Sequence, residues 1–159
     1  MTKKIKISEY VSQFLEQNQI KFVFEMSGGM IARLLDSINQ KSKIKIISFR
    51  HEQSAAFAAD AYGRLTGIPG IALATSGPGA TNLITGIGSS YFDSSPTVFI
   101  TGKVNRDEIK GDKKVRQLGF QETDIVSVVS PITKKTFLVT SRDDIPDILK
   151  DAFVIATEK

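Results

Sequence analysis

The sequence predicts an α/β domain, a parallel sheet with helices on both of its faces. Three observations predict it. Short apolar runs alternate with stretches of helical period along most of the chain. Several of these runs end in glycine- or serine-bearing turns, where a strand hands over to a helix. The 159 residues, 41% of them hydrophobic, are the size of one ordinary domain and enough to bury a real core.

The elements follow in order. Val11, Phe14 and Leu15 recur at helical spacing, and the apolar stretch "IKFVFEM" comes next as a strand. Gly28 and Gly29 make a turn into a helical pattern through Ile31, Leu34, Leu35 and Ile38. "IKIIS" is the second strand, followed by an alanine-rich helix from about Glu52 to Thr66. Ala55, Ala58, Ala59 and Tyr62 keep its inner face small enough to lie close to a neighbour. "GIALAT" leads through a Gly-Pro-Gly turn into a helix ending near Tyr91, and "PTVFIT" is another strand. From Gly102 to Gln117 the pattern lapses into a charged surface loop. "DIVSVV" and "KTFLVT" restore apolar character, and "RDDIPDILKDAFVIATEK" is a final helix. Asp143 or Asp144 can cap that helix, and Pro146 suits its first turn. No repeat or linker divides residues 1–159, so they read as a single domain.

Composition excludes several function classes. The net charge is +4, but the basic residues are scattered in short clusters (Lys3, Lys4 and Lys6; Lys41, Lys43 and Lys45; Lys110, Lys113, Lys114 and Arg116) without interleaved aromatics. A solvated surface explains them better than a nucleic-acid site. No apolar run reaches the ~18 residues of a membrane span, and no apolar segment behind "MTKKIKISEY" makes a signal peptide. The absence of cysteine excludes disulfides and fits a cytoplasmic setting. With one histidine besides, no metal site is expected on this chain.

Ligands of open parallel sheets bind beyond the carboxyl ends of the strands. Three such junctions are chemically unusual here: "EMSGG", "RHEQ" and "TSGPGATN". The last has the strand, glycine turn and helix start of an anion site. Yet no lysine follows Gly79 as a P-loop requires, and Asn82 stands where the dinucleotide fingerprint has its third small residue. Ser76 also lacks the spacing of a nucleophile elbow. In "RHEQ", Glu52 has two readings of nearly equal weight. An acid in a helix's first turn is favoured by the macrodipole by about 0.3–1 kcal/mol, and a carboxyl in a crowded place can also relay protons.

Taken together, "HEQSAAFAADAYGRLTGIPGIALATSGPGATNLITGIGSSYFDSSPTVFITGKV" and "GFQETDIVSVVSPITKKTFLV" resemble the N-terminal pyrimidine-binding domain of thiamine-diphosphate-dependent enzymes, acetolactate synthases above all. The likeness runs from about Ile7 to Ile155 and is most specific between His51 and Val104. It implies a six-stranded parallel sheet that binds the aminopyrimidine half of thiamine diphosphate at a dimer interface. It also implies that Glu52 is the catalytic glutamate, whose carboxyl hydrogen-bonds a ring nitrogen of the aminopyrimidine. Thr75, Pro78 and Asn82 match residues lining that pocket, and Met26 and Ser27 fall in the same lining ahead of Gly28 and Gly29. Gly28, Gly29, Gln121 and Lys134 match positions near the substrate. The activity implied is decarboxylation of a 2-oxo acid with ligation of the product to an acceptor.

Two departures stand out. "VFEMSGG" replaces the commoner "VFGYPGG", and the loop Gly102 to Phe120 is longer than is usual in the family. Both bear on the substrate rather than the cofactor. The family's Gly-Asp-Gly and downstream Asn-Asn, which fix magnesium and the diphosphate, do not occur in this sequence. The expectation is therefore an N-terminal domain of a longer enzyme, lacking the central and diphosphate-binding domains and inert by itself. A naturally split subunit is the alternative form. In the whole enzyme the resemblance implies a diphosphate-binding partner domain in the same or another chain, a homodimer or tetramer, and room for FAD. The competing reading is a non-catalytic nucleotide-binding or oligomerisation module built on the helix start at Gly79.

Overall fold

The computed structural model of the chain describes residues 5–158; Lys3, Lys4 and Lys159 lie outside them. The described chain runs α1 (Ile7–Gln17), β1 (Phe22–Glu25), α2 (Ala32–Lys41), β2 (Lys45–Ser48), α3 (Glu52–Thr66), β3 (Gly70–Ala74), α4 (Pro78–Asn82), α5 (Ile84–Phe92), β4 (Thr97–Thr101), α6 (Ile125–Val129) and α7 (Ile145–Thr157), with 3-10 turns at Arg106–Glu108, Ser130–Ile132 and Arg142–Asp144.

The strands form one parallel sheet in the order β2-β1-β3-β4. Alternation along each strand sends side chains to opposite faces. Val23, Ile71 and Leu73 join Leu15, Ile38 and Phe153 in one core cluster. Phe24, Ala72 and Ala74 join Ala55, Ala56, Ala59, Leu83 and Ile87 in the other. All five residues of β3 are buried, as a central strand covered on both faces requires. Of the small inner face expected of α3, Ala55 and Ala59 are fully buried against the sheet and α5, together with Ala56, whereas Ala58 and Tyr62 are half-buried. Gly67, at φ +68°, ends that helix in the left-handed conformation.

The α/β class and parallel sheet are as expected, but the described residues hold four strands rather than six. "DIVSVV" is helical because Asp124 accepts from Ser127 N (3.3 Å) and Ser127 Oγ (2.5 Å), capping α6. Residues 135–140 run without regular structure and pair with no strand, and Leu138 and Val139 are exposed. The sheet therefore stops at β4. Beyond it lies an apolar groove of about 780 Å³ between β4, α6, residues 132–139 and α7.

The final helix also starts differently. Ser141, not Asp143 or Asp144, supplies the side-chain cap, accepting from Asp143 N at 3.2 Å, and a 3-10 turn precedes α7. Pro146 occupies the first turn as predicted. The loop after β4 has internal order. Asn105 and Glu108 form a capping box, and the Glu122 carboxylate accepts from Lys110 N (2.8 Å) and Leu118 N (2.9 Å). The Leu118 and Lys110 amides hold that carboxyl below its ordinary range.

Candidate active site

The parallel sheet delivers every β-to-α junction to one edge. After β1 the loop 26–30 crosses toward β3 and β4. A Cβ on Gly28 would lie 2.4 Å from Thr75 Cβ, and one on Gly102 would lie 2.4 Å from Met30 Cβ. Met30 N also donates to Thr75 Oγ1 at 3.4 Å. The junctions after β1 and β3 thus meet at Thr75, with the one after β4 alongside.

Glu52 opens α3. His51 caps that helix through Nδ1, which accepts from Gln53 N at 3.1 Å, so the ring's other nitrogen carries the proton. With the cap supplied by His51, capping does not account for the burial of Glu52. The Glu52 residue is 6% exposed, and its Oε2 accepts from Asn82 Nδ2 at 2.9 Å. Asn82 reaches it from the end of α4, a single turn that Pro78 begins. Among the described residues, Oε1 accepts no hydrogen bond and no cation pairs with the carboxyl.

Gly79 packs directly beside that oxygen. A Cβ on Gly79 would stand 3.1 Å from Glu52 Oε1 and 2.7 Å from Thr75 Cγ2. A buried carboxyl oxygen with no donor among the described residues suits a ligand that presents a nitrogen donor. These residues therefore fit the aminopyrimidine end of thiamine diphosphate. Gly77, at φ +63° and ψ −126°, turns the chain from β3 into α4, and Thr81 N donates to its carbonyl at 3.0 Å. Gln121 lies against this turn: a Cβ on Gly77 would meet Gln121 Cβ at 2.6 Å. Gln121 is itself in the left-handed region, at φ +60°.

The structure thus brings Glu52, Thr75, Pro78, Asn82, Gly28 and Gln121 to one edge of the sheet. Met26 and Ser27 lie in the loop after β1 and make no bond to Glu52; Ser27 Oγ donates instead to Glu25 Oε2 at 3.0 Å. Gly29 has nothing within 4 Å of a Cβ position. Lys134 is engaged elsewhere, its ammonium donating to Ile155 O (3.1 Å) and Glu158 O at the end of α7. Sequence reasoning missed the roles of Glu25 and Glu122. The first was visible as an acid replacing glycine in "VFEMSGG", the second as the acid beside Gln121 in "FQE".

The profile of the family described as "Thiamine pyrophosphate enzyme, N-terminal TPP binding domain" matches residues 5–128, and the chain belongs to that family. Over 155 residues it is 43% identical to the acetolactate synthase large subunit of Haemophilus influenzae, covering 98% of this chain and 26% of the relative. Against the acetolactate synthase of Mycobacterium leprae it is 41% identical over 150 residues, 94% of this chain and 23% of that protein. With the chloroplastic acetolactate synthase of Arabidopsis thaliana it shares 42% identity over 152 residues, 96% of this chain and 22% of the relative. The chain spans about a quarter of the length of these relatives. It is an N-terminal thiamine-diphosphate-binding domain of the acetolactate synthase-like kind, which sets aside the reading as a nucleotide-binding or oligomerisation module.

Proposed function

We propose that this domain supplies Glu52 as the acid of a thiamine-diphosphate enzyme that decarboxylates a 2-oxo acid and joins the product to an acceptor. The observation that carries the reading is the state of the Glu52 carboxyl. It is buried, one oxygen is held by Asn82, and the other, beside Gly79, accepts no hydrogen bond among the described residues. When bound, thiamine diphosphate supplies the carbon nucleophile and the electron sink of such chemistry.

The chain's own residues do the rest. Asn82 fixes the carboxyl's orientation by donating to Oε2, so that Oε1 is the atom left to exchange a proton with a ring nitrogen. Thr75 packs against Gly28 and Gly79 beside Glu52, and in this reading these residues border the ring. Gln121 packs against the Gly77 turn, and in this reading it borders the incoming substrate. Met26 and Ser27 complete the rim, and Gly29 leaves it open.

The remainder of the enzyme belongs to the same proposal. A diphosphate-binding domain, in this or another chain, holds the magnesium and the diphosphate. Assembly is a homodimer or tetramer, FAD is a further optional cofactor, and residence is cytoplasmic. Lys134 enters only if its hold on α7 is released, which makes it the weakest member of the substrate set.

The test is reconstitution with a diphosphate-binding domain, magnesium, thiamine diphosphate and pyruvate. Glu52→Gln keeps the hydrogen-bonding shape and loses the proton relay, so turnover should fall by roughly 10²–10⁴-fold. Turnover of Glu52→Gln equal to the wild type would remove Glu52 from the chemistry.

A further inference from the structure

One buried acid beside the site has no part in this reading. Glu25 ends β1 and is 1% exposed. Among the described residues no lysine or arginine pairs with it. Its carboxyl instead meets two hydroxyls from different segments. Ser27 Oγ donates to Oε2 at 3.0 Å, and Ser48 Oγ donates to Oε1. The Glu25 carbonyl also accepts from Phe49 N at 2.7 Å.

Taking a carboxyl out of water with no counter-charge is costly. An apolar side chain would fill the position without that cost, as Val23 and Leu73 do on the same face of the sheet. What a valine cannot do is bond two loops at once. Ser27 belongs to the loop whose Gly28 rests on Thr75. Ser48 ends β2, four residues before Glu52.

We propose that Glu25 is a positioning residue that clamps the loop after β1 to the end of β2 through Ser27 and Ser48, fixing the pocket rim relative to Glu52. The clamp is a statement about this chain's own segments; its catalytic meaning rests on the reading of Glu52 given above.

Amide hydrogen exchange on the full 159-residue chain tests it. Met30 N and Ile31 N report on the rim, because they donate to Thr75 Oγ1 and to Gly28 O. Ser48→Ala deletes one hydroxyl on β2, so it moves these remote amides only if the clamp is real. We expect about tenfold faster exchange at both, with an unchanged melting transition. Glu25→Ala should do the same, and adding Ser27→Ala to it should change nothing more. Glu25→Gln, which can accept from one hydroxyl and donate to the other, should restore most of the protection.

A folded Ser48→Ala chain with wild-type exchange at Met30 and Ile31 overturns the clamp, as does failure of Glu25→Gln to restore what Glu25→Ala loses. A second arm separates the two readings. Hydroxymethylpyrimidine, the cofactor's aminopyrimidine half as a free molecule, is titrated into each chain and followed by NMR. Weaker binding by Ser48→Ala than by wild type supports the clamp as a pocket device, and equal binding overturns that role. If the wild type binds no pyrimidine, the reading of Glu52 fails, and the exchange arm alone upholds or overturns the clamp.

Discussion

Asn82 donates to Glu52 from a helix of a single turn, so the two side chains hold their geometry only while α4 stays in place. Asn82→Ala should leave Oε2 without its donor and free the carboxyl to rotate. In the reconstituted enzyme this is expected to lower turnover by about tenfold, less than Glu52→Gln, because the acid itself survives. Gly28 makes a different demand. Three atoms of Thr75 lie 2.4–2.9 Å from where a Cβ would sit, so Gly28→Ala must push loop or strand apart. The expected cost is about 1–3 kcal/mol in urea unfolding, relieved in part by Thr75→Ser, which removes one of the clashing atoms. Both constraints were half legible in the sequence. "RHEQ" and "TSGPGATN" announced unusual junctions, but which side chain would reach which depended on strand order. Glu25 shows the limit most clearly: the sequence marks it as a departure, and only the parallel register of Glu25 beside Ser48 turns it into a link.

At the scale of elements, α3 is held to α5 by a small ionic cluster. Asp60 is 5% exposed, pairs with Arg64 at 2.9 Å, and accepts from Ser89 Oγ (3.3 Å) and Ser90 Oγ (3.2 Å). Burial works against its ionised form, but bonds from Arg64 and Ser90 and the Arg64 charge outweigh burial and hold the carboxyl below its ordinary range. A depressed folded value means that its stabilisation is full above the unfolded value of about 3.9 and is lost as pH falls through the lower, folded one. Asp60→Asn should therefore destabilise the chain at neutral pH by about 1–2 kcal/mol, a modest figure because Arg64 is well exposed. That deficit should shrink in melts as pH falls below the unfolded value and through the lower, folded one. Helices and strands up to β4 were legible because their apolar spacing and their neighbours agree. Residues 135–140 have a strand's composition, but a strand needs a partner, and here they have none. The segment after Gly102 was illegible for another reason. Its order comes from Glu122 bonding amides of Leu118 and Lys110, contacts that leave no periodic trace.

On the scale of the whole molecule, the two rims of the sheet are unlike. The β2 rim carries Lys43 and Lys45, both exposed, whereas β4 reads Thr-Val-Phe-Ile-Thr and borders the apolar groove. Lysine on a rim is a familiar guard against strand addition, and the β4 rim has none. The asymmetry decides how copies can accumulate. Two β4 rims meeting face to face obey a two-fold axis and stop at a pair. A β4 rim meeting a β2 rim repeats head to tail without end, as in a fibre. Lys43 and Lys45 disfavour strand addition at the β2 rim. Replacing both with valine removes that guard, and the size seen in sedimentation velocity should then rise with concentration and time relative to the wild type.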